Sequence, residues 1–228
     1  MCNTGCVLPE PGYLQFLRDI TSRHGTLLIF DEVITGFRLG LGGAQQMYHI
    51  QPDLSTFAKA LGGGFPIAAL AGTRPIMKWI AEGRYSHSGT YNANVVAMAA
   101  VNASLEELKK PGVYENLFAQ GDRLMGGLQS RFDQAGIPVQ VQGIGPVFQV
   151  WFADRPVRSW REAAAHAQNN FFRIFWEEMF VRGVLFHPNQ FENFFMATAH
   201  HDEHIDATLT ALDDAMPVLK KRFSESFA

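Results

Sequence analysis

A carboxylate and an amine occupy the two places in this chain best suited to chemistry. The apolar run Leu27-Leu28-Ile29-Phe30 ends in Asp31, and Phe57-Ala58-Lys59-Ala60-Leu61 runs into Gly62-Gly63-Gly64-Phe65-Pro66. The first reads as a buried strand closed by an acid. The second sets a lone lysine ahead of a glycine loop that lets backbone approach something bulky. An acid fixed at a strand end and an amine in a tight, mostly apolar turn are what pyridoxal phosphate chemistry requires. The carboxylate keeps the pyridine nitrogen protonated, and the lysine carries the cofactor as a Schiff base. Taken alone, Lys59 reads as a solvated lysine and Asp31 as a turn cap; it is the pairing that raises both.

A rival chemistry uses the same acids. Asp31-Glu32 after an apolar strand also suits the acid pair of a P-loop ATPase. That enzyme needs Gly-x-x-x-x-Gly-Lys-Ser/Thr, and the glycine triplet here is followed by Phe65-Pro66 instead. His200, His201 and His204 have spacing compatible with one helix face. Asp202 and Glu203 among them mark a helix start, so no metal site is expected there.

The elements that must position these groups alternate. Tyr13, Phe16, Leu17 and Ile20 recur at helical spacing before His24-Gly25, and strand 27–30 follows. A polar loop over 35–43, a short helix over 44–49, a strand over 54–58, a third apolar run over 67–71 and a helix opened by Pro75 come next. This order predicts an α/β fold with a doubly wound, mainly parallel sheet. Residues 81–94 read as a polar loop and 95–109 as an alanine-rich helix. Beyond Pro111 the pattern changes to a long helix over 114–134, two short strands around Gly143 and Gly145, helices over 160–182 and 205–223, and a strand pair at 184–186 and 194–196. That is a small α+β arrangement, so a boundary is expected near Lys110. Phe171, Phe172, Phe175, Trp176 and Met179 form a core stripe.

Composition narrows the partners. The formal net charge is -3 over 228 residues and no basic block stands out, which gives no footprint for nucleic acid or a membrane surface. Cys2 and Cys6 are the only cysteines, too few for a disulfide framework or a zinc set, and are read as free thiols. Without a signal peptide or a long apolar span, a cytoplasmic location is expected.

These residues also carry a family resemblance. Phe30-Asp31-Glu32-Val33-Ile34-Thr35-Gly36-Phe37-Arg38, Pro52-Asp53, Lys59, Gly62-Gly63-Gly64-Phe65-Pro66 and Gly89-Thr90 together resemble the class III PLP-dependent aminotransferases. Leu41-Gly42-Gly43-Ala44-Gln45, Pro111-Gly112-Val113-Tyr114 and Phe191-Glu192 are similar to segments of the glutamate-1-semialdehyde 2,1-aminomutase branch. The resemblance runs over nearly the whole chain. It implies part of a fold type I large domain over residues 1–110 and a small C-terminal domain over 111–228. It also implies that Asp31 pairs with the pyridinium nitrogen, Val33 packs on a ring face, and Lys59 forms the internal aldimine. Thr90 would bind the cofactor phosphate of the neighbouring subunit, which implies a homodimer, while Glu192 and Arg38 would meet substrate. The implied activity is transfer of an amino group between an amino acid or amine and a keto acid or aldehyde, with an intramolecular aminomutase as the alternative. The family's fold begins well upstream of the segment that Cys2-Asn3 resembles, so the chain is similar to its C-terminal part. A third expectation is therefore an inactive fragment lacking the upstream half of the cofactor site, with an exposed sheet edge.

Overall fold

The computed structural model describes residues 1–167 and 170–227. These divide into two compact units, residues 9–114 and residues 1–8 with 115–228.

In the first unit, α1 (Tyr13–Arg23) leads into β1 (Ile29–Asp31), followed by α2 (Gly43–Met47), β2 (Leu54–Phe57), a 3-10 turn (Lys59–Gly62), β3 (Ala69–Gly72), α3 (Arg74–Ala81) and α4 (Val95–Leu108). β1 and β2 run parallel with Ile29 opposite Leu54 and Asp31 opposite Thr56. β3 lies antiparallel on the other side of β2, with Leu54 opposite Gly72 and Phe57 opposite Ala69. The expected α/β layer is present, but in these residues the sheet is mixed. The short connection from β2 through the Lys59–Gly62 turn reverses the chain, and only a longer crossover could return it parallel.

β1 is an edge strand. Leu28 is buried while Leu27 and Ile29 are half-exposed, so the run expected to be wholly buried alternates faces as a one-sided strand does. Its entry is fixed by Asp53, whose Oδ2 accepts the Leu28 N–H at 2.7 Å and pairs with Arg18 of α1 at 3.0 Å. The Leu28 amide first, and Arg18 after it, hold the Asp53 carboxyl below the usual carboxylate range. α4 starts where Asn94 Oδ1 accepts the Val96 and Ala97 N–H groups, each at 3.1 Å.

The second unit contains α5 (Val113–Ala135) from Glu115 onward, β4 (Gln140–Ile144), β5 (Val147–Trp151), α6 (Trp160–His166), α7 (Phe171–Phe180), β6 (Phe194–Phe195) and α8 (Asp202–Phe227). The sheet is antiparallel in the order β4-β5-β6. Its central strand is fully buried, and just past its end Phe152 meets Phe132 and Phe171 edge-to-face, with Phe132 also edge-to-face on Phe175. The helix expected over 160–182 is instead α6 and α7; residues 168 and 169 lie outside the described residues. Residues 184–186 form no strand, because β5 takes β6 as its second neighbour and segment 184–186 runs past without a ladder of its own. Met1–Leu8 pack in this unit: Gly5 O accepts Trp151 Nε1–H at 2.8 Å, and Cys6 Sγ lies 3.4 Å from Val147 O. Burial pushes the Cys6 thiol up to about 12, making it an inert core thiol. No helix among the described residues is long and apolar enough to cross a membrane.

Candidate active site

A parallel pair of strands delivers both carboxyl ends to one edge of the sheet, the edge at which ligands bind in open α/β folds. Asp31 is the last residue of β1, and Lys59 follows β2 by two residues, so the register of β1 on β2 brings acid and amine to the same edge. Asp31 Oδ1 accepts the Val33 N–H at 3.0 Å and the Thr56 hydroxyl at 3.4 Å. Oδ2 accepts nothing from the described residues. Lys59 is exposed, and its amine makes no hydrogen bond or ion pair among them. The sequence placed this amine in an apolar turn; the structure sets it on an open edge that no described element covers.

The backbone at Lys59 is unusual. Its φ is +47°, in the left-handed region that non-glycine residues avoid, and Gly63 and Gly64 follow at +55° and +106°. The turn is held by Leu61, which is buried and donates its N–H to Ala58 O at 3.0 Å, and by the Phe65 N–H on Gly62 O. Cys6, Phe37, His49 and Ala93 share this region, so the strain fits a functional role at Lys59 without marking it as one.

Val33 is half-buried two residues after Asp31, and Arg38 is half-buried in the segment leading to α2. Thr90 lies in the exposed loop between α3 and α4. Asp31, Val33, Arg38, Lys59 and Thr90 thus belong to one unit. Glu192 belongs to the other, where its carboxylate accepts Asn3 Nδ2 at 3.2 Å and lines a cavity of about 400 Å³ together with His187 and Phe194. Its loop is held from below by Gln149, a fully buried β5 residue that donates Nε2–H to the carbonyls of Gln190 (2.7 Å) and Glu192 (2.5 Å).

Two structural residues escaped the sequence reading. Gln149 could have been suspected as the one polar residue inside Val147-Phe148-Gln149-Val150-Trp151. Glu32 is the second. It is 1 % exposed, and its carboxylate accepts the Ala44 N–H at 2.9 Å, the Gln45 N–H at 2.8 Å and the Thr35 hydroxyl. An acid consumed in this way has no oxygen to spare for a metal or a water, which removes the ATPase-like reading of Asp31-Glu32. The available signal was the start of α2: Gly42-Gly43-Ala44 has no side-chain cap of its own, so its first N–H groups need an acceptor from elsewhere. At the start of α8, the Nδ1 atoms of His200 and His204 accept the Ala197 and His201 N–H groups at 2.9 and 3.1 Å. Burial first, then the neighbouring histidines, lower the His200 pKa.

The residues fit pyridoxal phosphate on their donor set. One free carboxylate oxygen can receive a protonated ring nitrogen, a free amine on the same edge can reach a carbonyl carbon, and flanking glycines admit a flat ring.

Comparison with known proteins establishes the family and the fold. The Aminotransferase class-III family model matches residues 1–216. A glutamate-1-semialdehyde 2,1-aminomutase of Desulfosudis oleivorans is 48% identical over 92% of the chain and 49% of its own length. Its counterpart in Methanothermobacter thermautotrophicus is 43% identical over 96% of the chain and 52% of its own. The crystal structure of an omega-transaminase from Sphaerobacter thermophilus superimposes with a TM-score of 0.88 at 32% identity, covering 95% of this chain and 50% of that one. A beta-phenylalanine aminotransferase from Variovorax paradoxus gives a TM-score of 0.86 at 29% identity, over 94% and 50%. The chain spans about half the length of the relatives it matches. On this match of sequence and fold, the chain belongs to the class III aminotransferase family.

Proposed function

We propose that this chain contributes the lysine and acid of a pyridoxal phosphate site that moves an amino group between a small-molecule amino donor and a carbonyl acceptor. The observation that carries this reading is the delivery of a free Asp31 oxygen and a free Lys59 amine to one edge by the parallel β1–β2 pair. Bound there, pyridoxal phosphate would supply a carbonyl carbon for amine attachment and a ring able to withdraw electrons from the substrate Cα. Asp31 Oδ2 holds the proton on the ring nitrogen, while the Val33 N–H and Thr56 hydroxyl on Oδ1 keep the carboxylate aimed. Val33 supplies an apolar wall. Lys59 Nζ is both the point of attachment and the base that moves a proton at the substrate Cα. Arg38 and Glu192 are assigned to substrate groups, and Thr90 to the cofactor phosphate of a neighbouring subunit in a homodimer. In this reading residues 1–110 belong to the cofactor-binding domain and 111–228 to the small domain, with Met1–Leu8 folded into the latter's unit. Neither cysteine forms a disulfide among the described residues, which suits the cytoplasm.

The names of relatives at 43 to 48% identity favour a second reading, an intramolecular 2,1-aminomutase acting on an amino-aldehyde. Turnover by pyridoxamine-form protein without added keto acid would select it.

Visible absorbance of the purified protein with added pyridoxal phosphate, followed by borohydride reduction and peptide mapping, tests the site. A phosphopyridoxyl label on Lys59 alone is expected. A label scattered over other lysines, or none, overturns the assignment.

A further inference from the structure

Asp31 ends one strand and Lys59 follows another, and the ladder joining those strands is short. β1 contributes only three register pairs to β2. A strand of three residues fixes direction but leaves its end free to fray, and the end is where Asp31 lies. Something else must hold the two groups in one frame.

Glu32 sits at the junction. Its own N–H donates to Thr56 O at 2.9 Å, prolonging the β1–β2 ladder past Asp31, and its carbonyl receives the Gly36 N–H at 2.8 Å, opening the turn that follows. Its side chain turns inward to the start of α2 and receives the Thr35 hydroxyl and the amides of Ala44 and Gln45. The Gln45 side chain closes the circuit: Nε2 lies 3.4 Å from Glu32 Oε1 and 3.3 Å from Ser55 Oγ. Ser55 is buried in β2, opposite Phe30 and four residues ahead of Lys59. The packing leaves no slack. Gly43 has φ +61°, and a Cβ there would overlap the Glu32 carboxylate. Every donor in the circuit is neutral, and both carboxylate oxygens are used.

We infer that Glu32 is a positioning residue: through Ala44, Gln45 and Ser55 its buried carboxylate ties the turn after Asp31 to the strand that carries Lys59, and so sets acid and amine relative to each other. This rests on the reading of Asp31 and Lys59 as the cofactor-binding pair. The circuit itself predicts which changes matter. A glutamine at position 32 keeps the shape but turns an NH2 toward amides that need an acceptor, and an aspartate keeps the charge but falls short of α2. Loss of Gln45 beyond Cβ severs the link to Ser55 and leaves the Gln45 amide on Glu32.

The test compares Glu32→Gln, Gln45→Ala and a control core truncation, Val101→Ala in α4, in protein without cofactor. Amide hydrogen exchange is read at Ala44 and Gln45, at Val33, which donates to Asp31, and at Leu61, which closes the Lys59 turn. For Glu32→Gln, exchange faster by about tenfold or more is expected at all four, since hydrogen bonds to a charged acceptor are lost. Gln45→Ala is expected to speed Val33 and Leu61 more than Val101→Ala does. In loaded protein, Glu32→Gln is also expected to shift the pH midpoint of the visible band, and Val101→Ala at matched loss of thermal stability is not. If Glu32→Gln speeds exchange only at Ala44 and Gln45, Glu32 merely caps α2 and the inference is wrong. Should Glu32→Gln fail to fold, unchanged Val33 and Leu61 exchange in Gln45→Ala would overturn it equally. Failure of the site reading itself has a different signature, the absence of a Lys59 label in the unmodified protein.

Discussion

Replacing Lys59 by alanine and by glycine separates its chemistry from its backbone. Both variants remove the amine, so both lose the borohydride-fixed label. They differ in what they do to a residue held at φ +47°. A Cβ in the left-handed region costs about 1–2 kcal/mol, a cost that Lys and Ala share and Gly escapes. Glycine returns about 0.4–1 kcal/mol of this by enlarging the freedom of the unfolded chain. The remainder favours Lys59→Gly over Lys59→Ala by about 0.5–1 kcal/mol, or about 1–4 °C in Tm for a chain of this length. Side-chain packing does not confuse the comparison, because Lys59 is exposed. Parallel thermal melts without cofactor measure the difference. If alanine proves as stable as glycine, Lys59 is not held in the left-handed region and the turn carries no strain there.

Two further perturbations probe the frame around the site. Asp53 has a folded-state pKa below its unfolded value of about 3.9, so its stabilising contribution is present above that pH and is lost as pH falls through the lower folded value. Urea unfolding from pH 7 to pH 3 should therefore show the wild type exceeding Asp53→Asn by a constant margin above pH 5, with the two curves converging in acid; parallel curves throughout would exclude this linkage. Asn94→Ala leaves the Val96 and Ala97 amides without their acceptor and is expected to cost about 1 kcal/mol by the same assay, whereas a change below about 0.3 kcal/mol would mean water replaces the cap at no loss.

The candidate site residues could be proposed from sequence because their signals are local. An acid at the end of an apolar run and a lysine before three glycines can be recognised without knowing what they face, and the order of helices and strands follows from periodicity within each segment. Boundaries moved by a few residues, as at β1 and β3, where an apolar run shows that a strand exists but not which of its residues find a partner. Other features depended on partners distant in sequence. Nothing within 67–72 states that β3 will pair antiparallel, and nothing within 184–186 states that β5 will choose Phe194–Phe195 instead. Glu32 looked like half of an acid pair until α2 arrived with uncapped amides, and Gln149 looked like an interruption of a strand until the Gln190–Glu192 carbonyls came to rest above it. By itself, then, the sequence determined most of the elements and which side chains are candidates for the chemistry, since propensity and residue type are properties of short segments. Only the tertiary structure decided strand direction, burial and the assignment of each buried polar group to its partner, because those depend on contacts that loop closure must first bring together.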